Sequence, residues 1–141
     1  MRNRILLLLL VGMLFSCQSE NLQIYLNGQL AKHCSETLSD YSYVVIIPRR
    51  GCHSCTMEAD AFFKKHRDND KCLFIFTNLV SEKLLKIEVG YDIVNQTNVI
   101  IDKDNHFYSS HYIDSGYPLL LTRQNGDSFQ YKFLLDSDGL R

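Results

Sequence analysis

Hydrophobic positions along this chain change period several times, and each change marks an element. Leu22, Leu26, Leu30, Cys34 and Leu38 recur every four residues, the stripe of an amphipathic helix over 22–38, with Gly28 as its one weak position. Ser39-Asp40 closes it. Tyr43-Val44-Val45-Ile46-Ile47 is then apolar at every position, as in a strand inside a sheet covered on both faces, and Pro48 ends it. Helical spacing returns over 56–66, where Met57, Ala61 and Phe62 share one face with Phe63 beside them. A polar turn, 67–71, leads into a second buried strand, Cys72-Leu73-Phe74-Ile75-Phe76-Thr77. Ser81-Glu82-Lys83 opens a short helix carrying Leu84, Leu85 and Ile87, stopped at Gly90. Asn98-Val99-Ile100-Ile101-Asp102 is a third apolar segment, and 106–113 fits either a short helix or an irregular crossing.

The last third carries the clearest β signal. Pro118-Leu119-Leu120-Leu121-Thr122-Arg123 and Ser128-Phe129-Gln130-Tyr131-Lys132-Phe133 flank Asn125-Gly126, a dipeptide that accepts the positive φ of a tight hairpin turn. Phe129, Tyr131 and Phe133 alternate with Gln130 and Lys132, which places this strand at a sheet edge. Strands alternating with helices predict an α/β fold whose central, largely parallel sheet has helices on both faces, preceded by an N-terminal helix and finished by an antiparallel C-terminal hairpin.

Composition leaves this picture unchanged: 141 residues, 45% hydrophobic and 22% charged, suit one domain. A formal charge of −1 excludes the basic face of a nucleic-acid binder. The first residues do change it. Arg2 and Arg4 precede an apolar run, 5–15, too short to span a bilayer and suited to a signal peptide. Leu14-Phe15-Ser16-Cys17 resembles the bacterial lipobox, which implies cleavage after residue 16 and lipid on Cys17. The expected organisation is therefore a signal peptide 1–16, a tether 17–21 beginning at lipidated Cys17, and a domain 22–141. The chain would be lipid-anchored to the inner or outer membrane of a bacterial envelope, facing the periplasm or the surface.

Export matters because disulfides persist outside the cytoplasm. Cys34 and Cys72 lie within apolar runs and read as small buried hydrophobes. Cys52 and Cys55 differ, standing in Arg49-Arg50-Gly51-Cys52-His53-Ser54-Cys55 between the first strand and its helix. A cysteine at a helix start meets free backbone N–H groups and the positive end of the helix dipole, which favour thiolate. Arg49, Arg50 and His53 would act in the same sense when charged. Cys55, a turn further in and less exposed, is placed to resolve a mixed disulfide formed at Cys52. Spacing alone leaves the pair structural, catalytic or metal-binding.

The span from about 41 to 133 resembles the thioredoxin fold, and in particular small thioredoxin-like envelope lipoproteins. The resemblance rests on strand–Cys52-His53-Ser54-Cys55–helix, the strand and helix that follow, and Tyr117-Pro118 opening a strand before the Asn-Gly hairpin. It implies a three-layer thioredoxin-like fold and protein-disulfide oxidoreductase activity, with Cys52 as nucleophile and Cys55 as resolving thiol. It further implies a cis-proline at Pro118 that forms a substrate-binding wall with Tyr117, and tuning of Cys52 by His53 and Arg50. No organic cofactor is implied, since the dithiol carries the electrons. The partners would be protein thiols or disulfides and an upstream redox partner. Four positions depart from the family: His53-Ser54 stands for Gly-Pro, Gly51 for Trp, and Ile46 where thioredoxin has a buried acid. Two alternatives stay open. One is Cu(I) or Zn(II) binding or transfer through the soft thiolates with His53, although no second C-x-x-C exists and His106 and His111 are isolated. The other is a non-catalytic binding module with a structural disulfide.

Overall fold

Five strands form one mixed sheet in the order β3-β2-β1-β4-β5, where β1 is Tyr43–Pro48, β2 Cys72–Thr77, β3 Val99–Ile101, β4 Leu119–Arg123 and β5 Phe129–Phe133. The computed structural model describes residues 22–110, 116–134 and 139–140. The expected signal peptide, the tether with Cys17, and His111 lie outside them. Three α-helices accompany the sheet: α1 (residues 22–33), α2 (His53–His66) and α3 (Glu82–Val89). Among the described residues no helix is long and apolar enough to cross a membrane.

Alternation within the strands builds two cores from one sheet. Val44 and Ile46 of β1, with Leu73 and Ile75 of β2, face Leu22, Leu26 and Leu30 of α1 and Cys34 just past its end. Val45, Ile47, Phe74 and Phe76 face the other way, onto Ala59, Phe62 and Phe63 of α2 and Leu85 and Val89 of α3. Phe63 meets Phe74 and Phe76 edge-on at centroid distances of 5.0 and 5.1 Å, a preferred aromatic geometry. The mixed α/β class with helices on both faces is thus as expected, and β1 is central, as its uniformly apolar sequence requires.

Parallel pairing runs from β1 through β2 to β3, while β4 is antiparallel to β1 and β5 to β4. The β5 edge is closed by side-chain amides of α1. Asn27 accepts from the Phe129 N–H and donates to the Phe129 carbonyl, both at 3.0 Å, and Gln23 accepts from the Tyr131 N–H at 3.1 Å. These amides occupy groups that would otherwise template another strand.

Two expectations shift, and the reading left open for 106–113 is decided over its described residues. The first helix stops at residue 33, and Leu38 begins a separate 3₁₀ turn, Leu38–Asp40. The α2 helix starts three residues earlier than its apolar spacing suggests, because Cys52 caps it. Its buried stripe is therefore Cys55, Ala59, Phe62 and Phe63, with Met57 60% exposed. Setting the phase from Cys55 turns Met57 and Ala61 outward. Residues 103–110 form no helix and pass as turns. They are organised by buried Asp102, which accepts from Thr77 Oγ1 at 2.7 Å, the His106 N–H at 3.0 Å and the Phe107 N–H at 2.9 Å.

Candidate functional site

At the C-terminal end of β1 the chain must leave a buried strand and enter a helix within a few residues. Gly51 permits this with φ +148°, a conformation that side-chain-bearing residues rarely adopt. Cys52 follows as the helix N-cap in extended backbone, its Sγ accepting the Cys55 N–H at 3.4 Å. Cys52 and Cys55 form a disulfide with Cα atoms 5.3 Å apart. Cys52 is half-exposed and Cys55 only 5% exposed. A thiolate arriving from solvent would therefore meet Cys52 first, with Cys55 as the leaving sulfur.

Ser54 takes part in a way its sequence position did not suggest. Its hydroxyl lies 3.0 Å from Cys52 Sγ and is placed to donate to that sulfur when the pair is reduced. Thr56 tightens the same turn, donating from its hydroxyl to the Cys52 carbonyl at 3.1 Å. The α2 helix supplies its remaining free N–H groups and dipole at this point.

The basic residues divide. Arg50 and His53 are exposed, and His53 lines a groove of about 130 Å³ with Arg49, Gly51, Thr56, Val80, Leu84 and Glu88 among its walls. Arg49, expected to favour the Cys52 thiolate, is committed elsewhere. Its side chain is 4% exposed and forms ion pairs with Asp60 of α2 and, at 2.5 Å, with Glu88 of α3. Burial works against its charge, but the hydrogen bonds it donates to both carboxylates outweigh that effect and its pKa is raised.

The loop leading to β4 reaches the same place. A Cβ on Gly116 would stand 2.8 Å from the Arg50 carbonyl oxygen and 3.1 Å from Gly51 Cα, and Gly116 has φ +62°. Only glycine lets this loop lie against the turn before Cys52. Tyr117 is 45% exposed and packs edge-on against Phe133, itself 51% exposed, at 5.9 Å. Pro118 is buried, and its carbonyl accepts the Leu134 N–H at 2.9 Å. The Tyr117–Pro118 bond is trans, since the described residues contain no cis peptide, which corrects the cis-proline expectation. Proline tolerates both isomers at small cost, and the trans form here presents Pro118 to the hairpin.

The other cysteines among the described residues, Cys34 and Cys72, are free and buried. Burial pushes the Cys34 thiol up to about 11, with Asp102 adding to the effect, and the Cys72 thiol up to about 12. Ile46 is fully buried in the α1-side core, so the acid of the thioredoxin pattern has no counterpart at this position. Among the described residues no group of three or more His, Cys, Asp or Glu side chains is placed to hold a metal ion. No family model, curated protein or solved structure matches this chain.

Proposed function

We propose that this protein is a thiol–disulfide oxidoreductase acting through Cys52 and Cys55 on protein thiols or disulfides. The observation that carries this reading is the asymmetry of the pair: an attackable, helix-capping Cys52 linked to a buried Cys55. From the oxidised form, a substrate thiolate attacks Cys52 Sγ, the Cys52–Cys55 bond breaks, and Cys55 leaves as thiolate and takes up a proton. A second substrate thiolate then attacks the substrate sulfur of the mixed disulfide and releases Cys52. Two electrons pass to the pair and the substrate becomes a disulfide. The reverse displacements reduce a substrate disulfide, so the relative potentials set the direction.

A thioredoxin-like arrangement is supported by the strand order β2-β1-β4-β5, with β2 parallel and β4 antiparallel to β1. Exposed Tyr117 and Phe133 would form an apolar wall for substrate beside the pair, held by Gly116 and Pro118 behind it. With the lipobox-like Cys17, the same reading places the domain on a bacterial envelope membrane, where it would exchange electrons with an upstream redox partner.

The test is Cys55→Ser in the native host with capture of mixed disulfides on Cys52. Recovered protein partners, together with exchange by the wild type on a model disulfide, would support the reading. Empty capture, no exchange, and a potential below about −300 mV, the range of structural bridges, would overturn it.

A further inference from the structure

The groove beside Cys52 ends in a charge arrangement that the exchange steps do not use. Arg49 leaves β1 with its backbone N–H donated to the Thr77 carbonyl at 3.0 Å, so its Cα is fixed to the end of β2. Its guanidinium then holds two helices at once. Asp60 receives a forked pair of bonds, one of them from the second guanidinium nitrogen at 3.2 Å, and Glu88 receives the other contact at 2.5 Å. Asp60 lies in α2, the helix that Cys52 caps, and Glu88 lies in the last turn of α3. The opposite end of α3 is tied to the turn after β3 by Glu82 and Lys103 at 2.6 Å.

We propose that Arg49, pinned by Asp60 and Glu88, is a positioning residue for the Cys52–Cys55 pair and that Glu88 adjusts its redox poise, an inference that rests on the oxidoreductase reading for its functional meaning. The geometry gives the reason. A buried planar guanidinium with a bidentate carboxylate, here Asp60, is the most orientation-specific ionic contact available to a side chain. It joins the turn before Cys52 to α2 and α3, so the disulfide sits in a rigid frame. The charges do not cancel: one guanidinium faces two carboxylates. The Glu88 carboxylate, 40% exposed, lines the same groove as Gly51 and His53 on either side of Cys52. The excess negative charge opposes formation of the Cys52 thiolate and favours the disulfide. Removing Glu88 and removing Arg49 should therefore move the pair in opposite directions.

The experiment equilibrates the purified full-length protein, as wild type, Glu88→Gln, Arg49→Gln and Arg49→Lys, with glutathione redox buffers. It also titrates the reduced Cys52 thiolate by ultraviolet absorbance, with circular dichroism to verify folding. Glu88→Gln should shift the equilibrium toward the dithiol by threefold or more and lower the pH at which the thiolate forms. Arg49→Gln should shift both readouts the other way, and Arg49→Lys should recover part of the change. General loosening of the fold would move both charge variants alike, so shifts of the same sign, or none in folded variants, would overturn the proposal. Should Arg49→Gln fail to fold, the sign of the Glu88→Gln shift still decides. The potential is measurable without any substrate protein. An inert wild type whose variants shift in opposite senses would therefore sink the oxidoreductase reading alone, and an active one without such shifts would sink this proposal alone.

Discussion

Cys52 and Cys72 sit at the two ends of the same parallel strand pair and are chemically opposite. Cys72 opens β2 at the end of the sheet away from the helix starts, with no exposed surface, and its thiol is pushed up to about 12 by burial. Cys52 stands just past the C-terminal end of β1, half-exposed, with the Cys55 N–H directed at its sulfur and the Ser54 hydroxyl beside it. In parallel α/β sheets the strands' C-terminal ends face helix N-termini, where backbone dipoles favour anions. The other end offers a sulfur only apolar burial. Reactivity here is a property of the sheet end, and the thiol is common to both.

The largest effect expected from this contrast is on exchange. Cys52→Ala should reduce disulfide exchange to background while leaving the fold intact, and Cys72→Ala should leave the rate within a factor of about two, because the buried thiol does not touch the site. Both are read with a fluorescent model disulfide. Appreciable exchange by folded Cys52→Ala would remove the basis of the comparison.

Next in size is labelling. After mild reduction at pH 8, iodoacetamide should modify Cys52 within minutes. Cys34 and Cys72 should react more slowly by about two orders of magnitude or more, since only the thiolate attacks and their thiolate fraction is that much smaller than for an ordinary cysteine. Denaturant should erase the difference. Mass spectrometry of the peptides separates the sites.

How much of this could be read from the residues follows from how far apart the interacting partners lie. The strands β1 and β2 and the β4–β5 hairpin are legible because each is a continuous run whose burial is written locally, and the Asn125-Gly126 turn fixes the hairpin. The start of α2 is not, because Cys52-His53-Ser54 carries no apolar period. Its helical role is evident only once Cys52 is seen to cap the helix. The ion pairs of Arg49 were not legible for a different reason. Nothing near it in sequence suggests that carboxylates 11 and 39 residues away would claim its charge. Gly116 could have been suspected, as a glycine just before an aromatic–proline pair, but its contact with Arg50 and Gly51 depends on the tertiary return of β4 to β1. The trans Tyr117–Pro118 bond departs from the cis-proline that the resemblance implied.

The alkaline limb of stability should carry the Cys72 end of the contrast. In the unfolded chain this thiol ionises near its ordinary value of 9, and in the folded protein near 12. Below the lower value both states are protonated and the group has no differential effect. As pH rises through the window, the unfolded chain loses a proton that the folded protein keeps, so stability falls by roughly 1.4 kcal/mol for each pH unit per thiol. Urea unfolding between pH 8 and 11 should show a shallower decline in Cys72→Ala than in wild type. Equal slopes would mean that burial of Cys72 does not govern its ionisation.

The smallest expected effect sharpens the Cys52 end. Ser54→Ala removes one hydrogen bond, from a hydroxyl 3.0 Å from Cys52 Sγ, and leaves the N-cap and helix dipole in place. A hydrogen bond to a charged group contributes on the order of 1.5 kcal/mol, and a neutral one about 1 kcal/mol. The difference, about 0.5 kcal/mol, should move the thiolate titration of reduced Cys52 up by about 0.4 pH unit, and exchange near neutrality should slow by roughly twofold to threefold. Above the new titration point the rate should recover, because the variant lacks a thiolate-stabilising donor and not the nucleophile. A loss that persists at high pH would assign Ser54 to substrate contact. No loss at any pH would leave the helix N-terminus as the sole source of Cys52's advantage over Cys72.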